Sequence, residues 1–380
     1  MRGRVSSVLK KMGFDPKSLP PEELHELGRP RRARFPLFVL DTGSKRQDVL
    51  RAIEAEVKSS LEEPSTGTPL QLSPSEFFEG FAPMMDRVAA RGPGKHDPAK
   101  LEKLFADFEE LHEVFVGELV VRVLRVLIAH SRMDAGLFSF AVRSVNPPGE
   151  REQKAFVLAC VVPEPRRFEL DAGPRDAVRA GAVSATGEVE WCEWDTGALE
   201  LPGPARRLPV WVQDHAFERL RQRIPAPSIE GYTHGTLFES LRHPRITANQ
   251  GDGTFLVEYR WHDVRVGHLA VTVLEDAVLV RTFLFLTMQG TPEAAKLRAR
   301  LKLKRRDIEW LDLDSFSVFL LSDMGKDPEL KRIFDECGCG HLLTLVPASG
   351  EPAMKVADEV RKYLKLGDPV RRDRARQEPE

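Results

Sequence analysis

The sequence predicts an α+β fold: a helical N-terminal region, a small β-rich segment, a central domain of two helices plus an antiparallel meander, and a helical C-terminal region. Three observations predict it. From Thr254 to Met288 the chain holds three apolar runs broken only by His262-Asp263 and Glu275-Asp276. In the first run Phe255, Val257, Tyr259 and Trp261 alternate with Leu256, Glu258 and Arg260, the period of two that a strand requires. Before it, Leu101, Leu104, Phe105, Phe108, Leu111, Phe115 and Leu119 fall at helical spacing, so an amphipathic helix is expected from Asp97-Pro98 to about His130.

The elements follow in order. Residues 1–135 read as a mostly helical region, with a short helix at Glu22–Leu27, a basic cluster at Arg29, Arg31, Arg32 and Arg34, a strand at Phe35–Leu40 and a helix over Gln47–Leu61. The stretch VVRVLRVLIAH is apolar on most sides, which predicts burial. Residues 136–206 carry short strand candidates between Pro/Gly-rich turns. Residues 207–290 form the central domain. Residues 291–367 hold helices, the first opened by Thr291-Pro292, and 368–380 read as a disordered tail.

Composition narrows the function classes. Lys and Arg number 56 against 58 Asp and Glu, so no global charge draws the chain to nucleic acid or membrane, and any such binding rests on local patches. No apolar run is long enough to span a bilayer. Four cysteines do not make a secreted disulfide framework, and the cytoplasm is the expected compartment.

Motifs must be weighed against plainer readings. Asp41-Thr42-Gly43-Ser44 resembles an aspartic-protease tripeptide, but that chemistry needs two carboxylates and no second copy exists; a capping box of Ser44 with Gln47 fits better. Cys337, Cys339 and His341 suggest a metal, yet Gly338 and Gly340 more simply end a helix over Pro328–Cys337, so no metal site is expected. The basic run Lys296–Arg306 suits either a solvated helix face or phosphates, with Lys302 and Arg305 as candidate RNA contacts.

The central stretch carries the chemistry. Asp214 reads as an N-cap, Phe217, Leu220 and Ile224 share one helix face, and His215, Arg219 and Arg223 lie four apart on another. Like charges at that spacing cost an isolated helix roughly 0.2–0.5 kcal/mol, which either a nearby anion or plain solvent must offset. Tight two-residue turns pair Trp261 with Val264, Val257 with His268, Ala270 with Arg281 and His268 with Phe283. His268 and Arg281 then become diagonal neighbours; a slip of one residue would part them. His215, Arg219, His268 and Arg281 are the candidate catalytic set, with Arg223 as a further RNA contact.

The segment His215-Ala216-x-x-Arg219-x-x-x-Arg223, opening a helix that leads to a meander, resembles the barnase–EndoU–RelE ribonuclease superfamily, in particular its BrnT-like toxin branch. The resemblance covers Pro209 to about Met288. It implies a compact α+β domain that cleaves RNA without metal or cofactor, in a bacterial toxin or defence effector. One histidine would act as base and the other as acid during attack by the 2′-hydroxyl, with Arg219 and Arg281 stabilising the phosphorane. RNA and a protein partner or inhibitor are the expected partners. The competing expectation is a non-catalytic interaction or regulatory module that keeps the toxin-like fold.

Overall fold

A computed structural model of the chain describes residues 2–11, 17, 37–66, 71–82, 98–145, 153–171, 173–201, 203–224, 230–249, 253–303, 305–345 and 355–364. The predicted 22–27 helix, the basic cluster at 29–34 and the 368–380 tail lie outside these residues. The fold is α+β. Contacts gather the chain into two units: Met1–Ser131 with Ala135–Val162 and Val183–Glu190, and Arg132–Asp134 with Pro163–Ala182 and Trp191–Glu380. Packing thus divides the β-rich segment 136–206 between the two units, and joins 291–364 to the meander.

The first unit sets a three-stranded sheet against helices. Strand β1 (Leu37–Leu40) runs parallel to β3 (Gln153–Val161), and β3 is antiparallel to β2 (Leu137–Val145). The Gln47–Ser60 helix buries Leu50, Ile53 and Val57, spaced to share one face. Asp41 accepts hydrogen bonds from the Gly43 N–H and the Ser44 hydroxyl, while Gln47 donates to the Asp41 and Ser44 carbonyls. The expected capping box is therefore replaced: Arg46, at φ 64°, holds the N-cap position. The long Pro98–His130 helix buries Phe115, Leu119, Val123, Val126 and Leu127. Val121 stays about half exposed, at 53%, so the stretch VVRVLRVLIAH is not buried all round as its composition predicts; Val114, about two turns earlier, is 47% exposed.

In the second unit an eight-stranded sheet carries the meander. Its order is β10 (Ile246–Asn249), β11 (Thr254–Trp261), β12 (Val264–Val273), β13 (Val278–Phe285), β9 (Arg207–Gln213), β5 (Arg175–Arg179) and β4 (Arg166–Phe168), with β8 (Glu193–Asp195) also on β9. β6 (Gly181–Val183) and β7 (Val189–Trp191) pair as a separate ribbon. β9 is parallel to β13 only over Val278–Val280, then becomes the Asp214–Arg223 helix, which packs on β13. Gln213, not Asp214, takes the N-cap position.

Both hairpin turns sit where the polar pairs place them. His262 and Asp263 adopt φ of 45° and 63°, the left-handed pair of a tight hairpin turn, and Trp261 faces Val264. Beyond the turns the expected register is corrected by two β-bulges. One between Tyr259 and Arg260 makes Glu258, not Val257, the partner of His268. Another between Ala270 and Val271 pairs Ala270 with Thr282 and His268 with Leu284, and leaves Arg281 as the extra residue. Gly267 is required where β12 crosses Phe283: a Cβ there would lie 2.4 Å from the phenyl ring and 2.6 Å from the Leu284 carbonyl oxygen.

The C-terminal helices close the second unit. Thr291 caps the Pro292–Leu301 helix by accepting from the Ala294 N–H. Asp327 caps Pro328–Cys337, and Gly338 ends it at φ 83°. Phe285 packs on Phe319 and Trp261 on Phe316, tying this region to the meander core. Among the described residues no helix is long and apolar enough to cross a membrane.

Candidate functional site

Where β9 leaves the sheet, the second half of β13 borders a cleft of about 330 Å³. His215 and Arg219 enter it from successive turns of the Asp214–Arg223 helix, and Thr282 and Leu284 enter from β13. Arg298 comes from the Pro292–Leu301 helix. Arg305, Ile308 and Glu309 come from the Arg305–Trp310 helix, and Asp314 from the turn that follows it.

Charge in the cleft is mixed but leans positive. Among the described residues three guanidiniums face two carboxylates, and one of those, Asp314, is already ion-paired with Arg223. The Asp314 side chain is 3% exposed, and its Oδ1 has no hydrogen-bond partner. Burial pushes its carboxyl up, and the opposing Arg223 charge does not fully offset that. Among the described residues the other cations make exposed or half-buried contacts. Arg219 donates to Gln222 at 3.0 Å, Arg298 to the Leu303 carbonyl at 3.4 Å and Arg305 to Glu309 at 2.8 Å. His215 is half exposed, with Nδ1 3.6 Å from Glu218. Such contacts are weak enough for an anionic ligand to displace.

The structure brings together some of the sequence-predicted residues and not others. His215, Arg219 and Arg305 line the cleft. Arg223 lies behind its wall on Asp314, and Lys302 is exposed at the end of the Pro292–Leu301 helix, outside the lining. Arg281, the bulge residue, is exposed and also outside the lining. His268 is fully buried, with Nε2 3.1 Å from Glu293 and Nδ1 3.2 Å from the Thr247 hydroxyl. Glu293 also takes Arg265 at 2.9 Å, and Arg265 lies 3.5 Å from Glu258. Burial alone would raise the Glu293 carboxyl, but the His268 hydrogen bond and the Arg265 charge hold it below its ordinary range. The group is an internal ion network that fixes the Pro292–Leu301 helix, through Glu293, to the meander, not an open site. Arg298, Glu309 and Asp314 complete the cleft, and only Arg298 stood inside a stretch that the sequence marks as basic.

Two further clusters are structural. His341 Nε2 lies 2.6 Å from the Arg265 carbonyl oxygen, and the Cys337 and Cys339 thiols are buried and pushed up by that burial. Among the described residues no group of three or more His, Cys, Asp or Glu side chains is placed to hold a metal ion. His234 stacks on Phe217 and accepts the Met133 N–H at Nδ1, so its proton sits on Nε2, 3.7 Å from Asp134. Burial pushes this imidazole down to about 4 despite the Asp134 charge.

That depression has a pH signature. An unfolded histidine titrates near 6.5, so the contribution of neutral His234 is complete above that pH and is lost as pH falls toward 4. Urea midpoints should therefore fall between pH 6.5 and 4, and in His234→Gln this part of the decline should flatten. An identical pH profile in the variant would show that His234 is not the group responsible.

Comparison with known proteins adds no relative: no family model, curated protein or solved structure matches this chain.

Proposed function

We propose that the second unit binds single-stranded RNA in the cleft around His215 and Arg219, through the phosphates. The observation that carries this reading is the convergence of Arg219, Arg298 and Arg305 with His215 on one cleft, each guanidinium held among the described residues by an exposed or half-buried contact. Guanidinium forks suit phosphate oxygens, and the His215-Ala216-x-x-Arg219 resemblance supplies RNA as the class of ligand. Leu284, Met288 and Ile308 offer apolar surface beside the charges, which suits a nucleotide better than an inorganic ion.

Binding is what this arrangement supports, rather than cleavage by a His215–His268 pair. An acid–base partner must reach the proton it transfers, and His268 is buried with both ring nitrogens engaged. A labelled single-stranded RNA titrated with the full chain should bind and be recovered intact, and millimolar inorganic phosphate should compete with it. Absence of binding at low salt would overturn the reading. Release of 2′,3′-cyclic phosphate ends, lost in His215→Ala, would restore a nuclease in its place.

A second reading, a protein-interaction surface, is favoured by one feature of the first unit. Val114 and Val121, seven residues apart on the Pro98–His130 helix, present exposed apolar side chains on one face.

A further inference from the structure

The helix that lends Arg305, Ile308 and Glu309 to the cleft ends in an exposed aromatic. Trp310 is 62% exposed, a large apolar side chain left in water at the last position of the Arg305–Trp310 helix. Its ring stacks on Tyr363 with centroids 4.9 Å apart and 25° between the planes. Tyr363 in turn donates its hydroxyl to Asp307 at 2.7 Å, so the pair is braced from below by the same helix. Tyr363 covers one indole face, and the exposure of Trp310 leaves the other open.

We propose that Trp310 is a stacking platform for a base of the RNA strand whose phosphates lie on the cleft arginines; the inference rests on the RNA-binding reading above. Indole offers a flat π-face to any base, and stacking of this kind tolerates every sequence. The charge needed to hold the backbone stands on the same short helix. From Arg305 to Trp310 the helix rises about 7.5 Å and turns about 140°, so a strand that crosses the end of the helix can set a phosphate at one residue and a base at the other. Glu309, between them, pairs with Arg305, which orients that guanidinium along the helix. A purely structural role is the competing explanation for the pair: it would anchor the Ala357–Tyr363 helix. That role needs the covered face alone and gives no reason for an open one.

The test uses the full chain and two fluorescent strands of six nucleotides, one ordinary RNA and one abasic throughout, with equal phosphates. Trp310→Ala should weaken binding of the ordinary strand roughly 5- to 150-fold, the range for loss of one base–aromatic stack, and leave the abasic strand unchanged. Trp310→Phe should recover most of the loss, which separates stacking from misfolding. Equal losses on both strands, or no change on either, would overturn the platform. Arg219→Ala distinguishes the two levels. If it weakens both strands while Trp310→Ala is silent, the platform fails and the cleft reading stands. If no strand binds the wild-type chain, both fail.

Discussion

Replacement of Glu293 by alanine should destabilise the protein by roughly 3–5 kcal/mol, the usual consequence of removing one partner from a buried ion network. Glu293 is 8% exposed and takes His268 on one carboxylate oxygen and Arg265 on the other. Its removal leaves a fully buried imidazole without the partner of its Nε2, and leaves Arg265 with Glu258 at 3.5 Å. Glu293→Gln should cost less, because it keeps an acceptor while losing the charge. The network also has a direction in pH. The folded-state carboxyl is held below its ordinary range, so its contribution is complete above about pH 4.5 and is lost as pH falls through the folded value. Urea unfolding of the two variants measures this. A Glu293→Ala protein as stable as wild type would mean that the network does not hold the meander, and that His268 is free for another role.

The second large effect concerns the cleft. Arg219→Glu combined with Arg298→Glu should lower affinity for single-stranded RNA on the order of 100-fold or more at low salt, since two attractions to phosphate become repulsions. Thermal stability should barely move. Among the described residues Arg219 bonds to Gln222 and Arg298 to the Leu303 carbonyl, exposed or half-buried contacts that contribute little. Anisotropy titrations read the first quantity and thermal melts the second. Full affinity in the double variant would move the RNA away from this cleft.

Much of the second unit was legible because its signals are local. A strand of alternating residues, a two-residue polar break and a Thr-Pro helix start each leave a mark a few residues long. Hence the meander and its turns, the Asp214–Arg223 helix and the Pro292 start all lie within a residue or so of expectation. The bulges were not legible. Val266 and Val271 are buried along with Leu269 and Ala270, so β12 is apolar on both faces, and an extra residue leaves no break in such a pattern. That one-residue change decided the site. It paired His268 with Leu284 and left Arg281 unpaired, separating two residues that the bulge-free register makes neighbours.

The cleft itself was half legible for the same reason. His215 and Arg219 share a helix ridge, so their spacing announces them. Arg298 and Arg305 sit in a charge run whose ordinary meaning is a solvated face, and nothing local assigns them to the ridge. Asp314 gave no signal at all. Its burial depends on Arg223, 91 positions earlier, and only the packing of the C-terminal helices on the meander brings the two together. The short strands β5 and β10 leave no such mark, because each carries polar residues and few apolar ones.

The salt dependence of RNA binding reads the charges of the cleft arginines directly. Each phosphate neutralised on a single strand contributes about 0.7 to the fall of log affinity with log salt. If Arg219, Arg298 and Arg305 each neutralise one phosphate, the wild-type slope should lie near −2, about 0.7 for each of three contacts. The triple alanine variant should show weak binding with a slope near zero. The same steep slope in both proteins would contradict the account, because the charges that hold the strand would then lie outside this cleft.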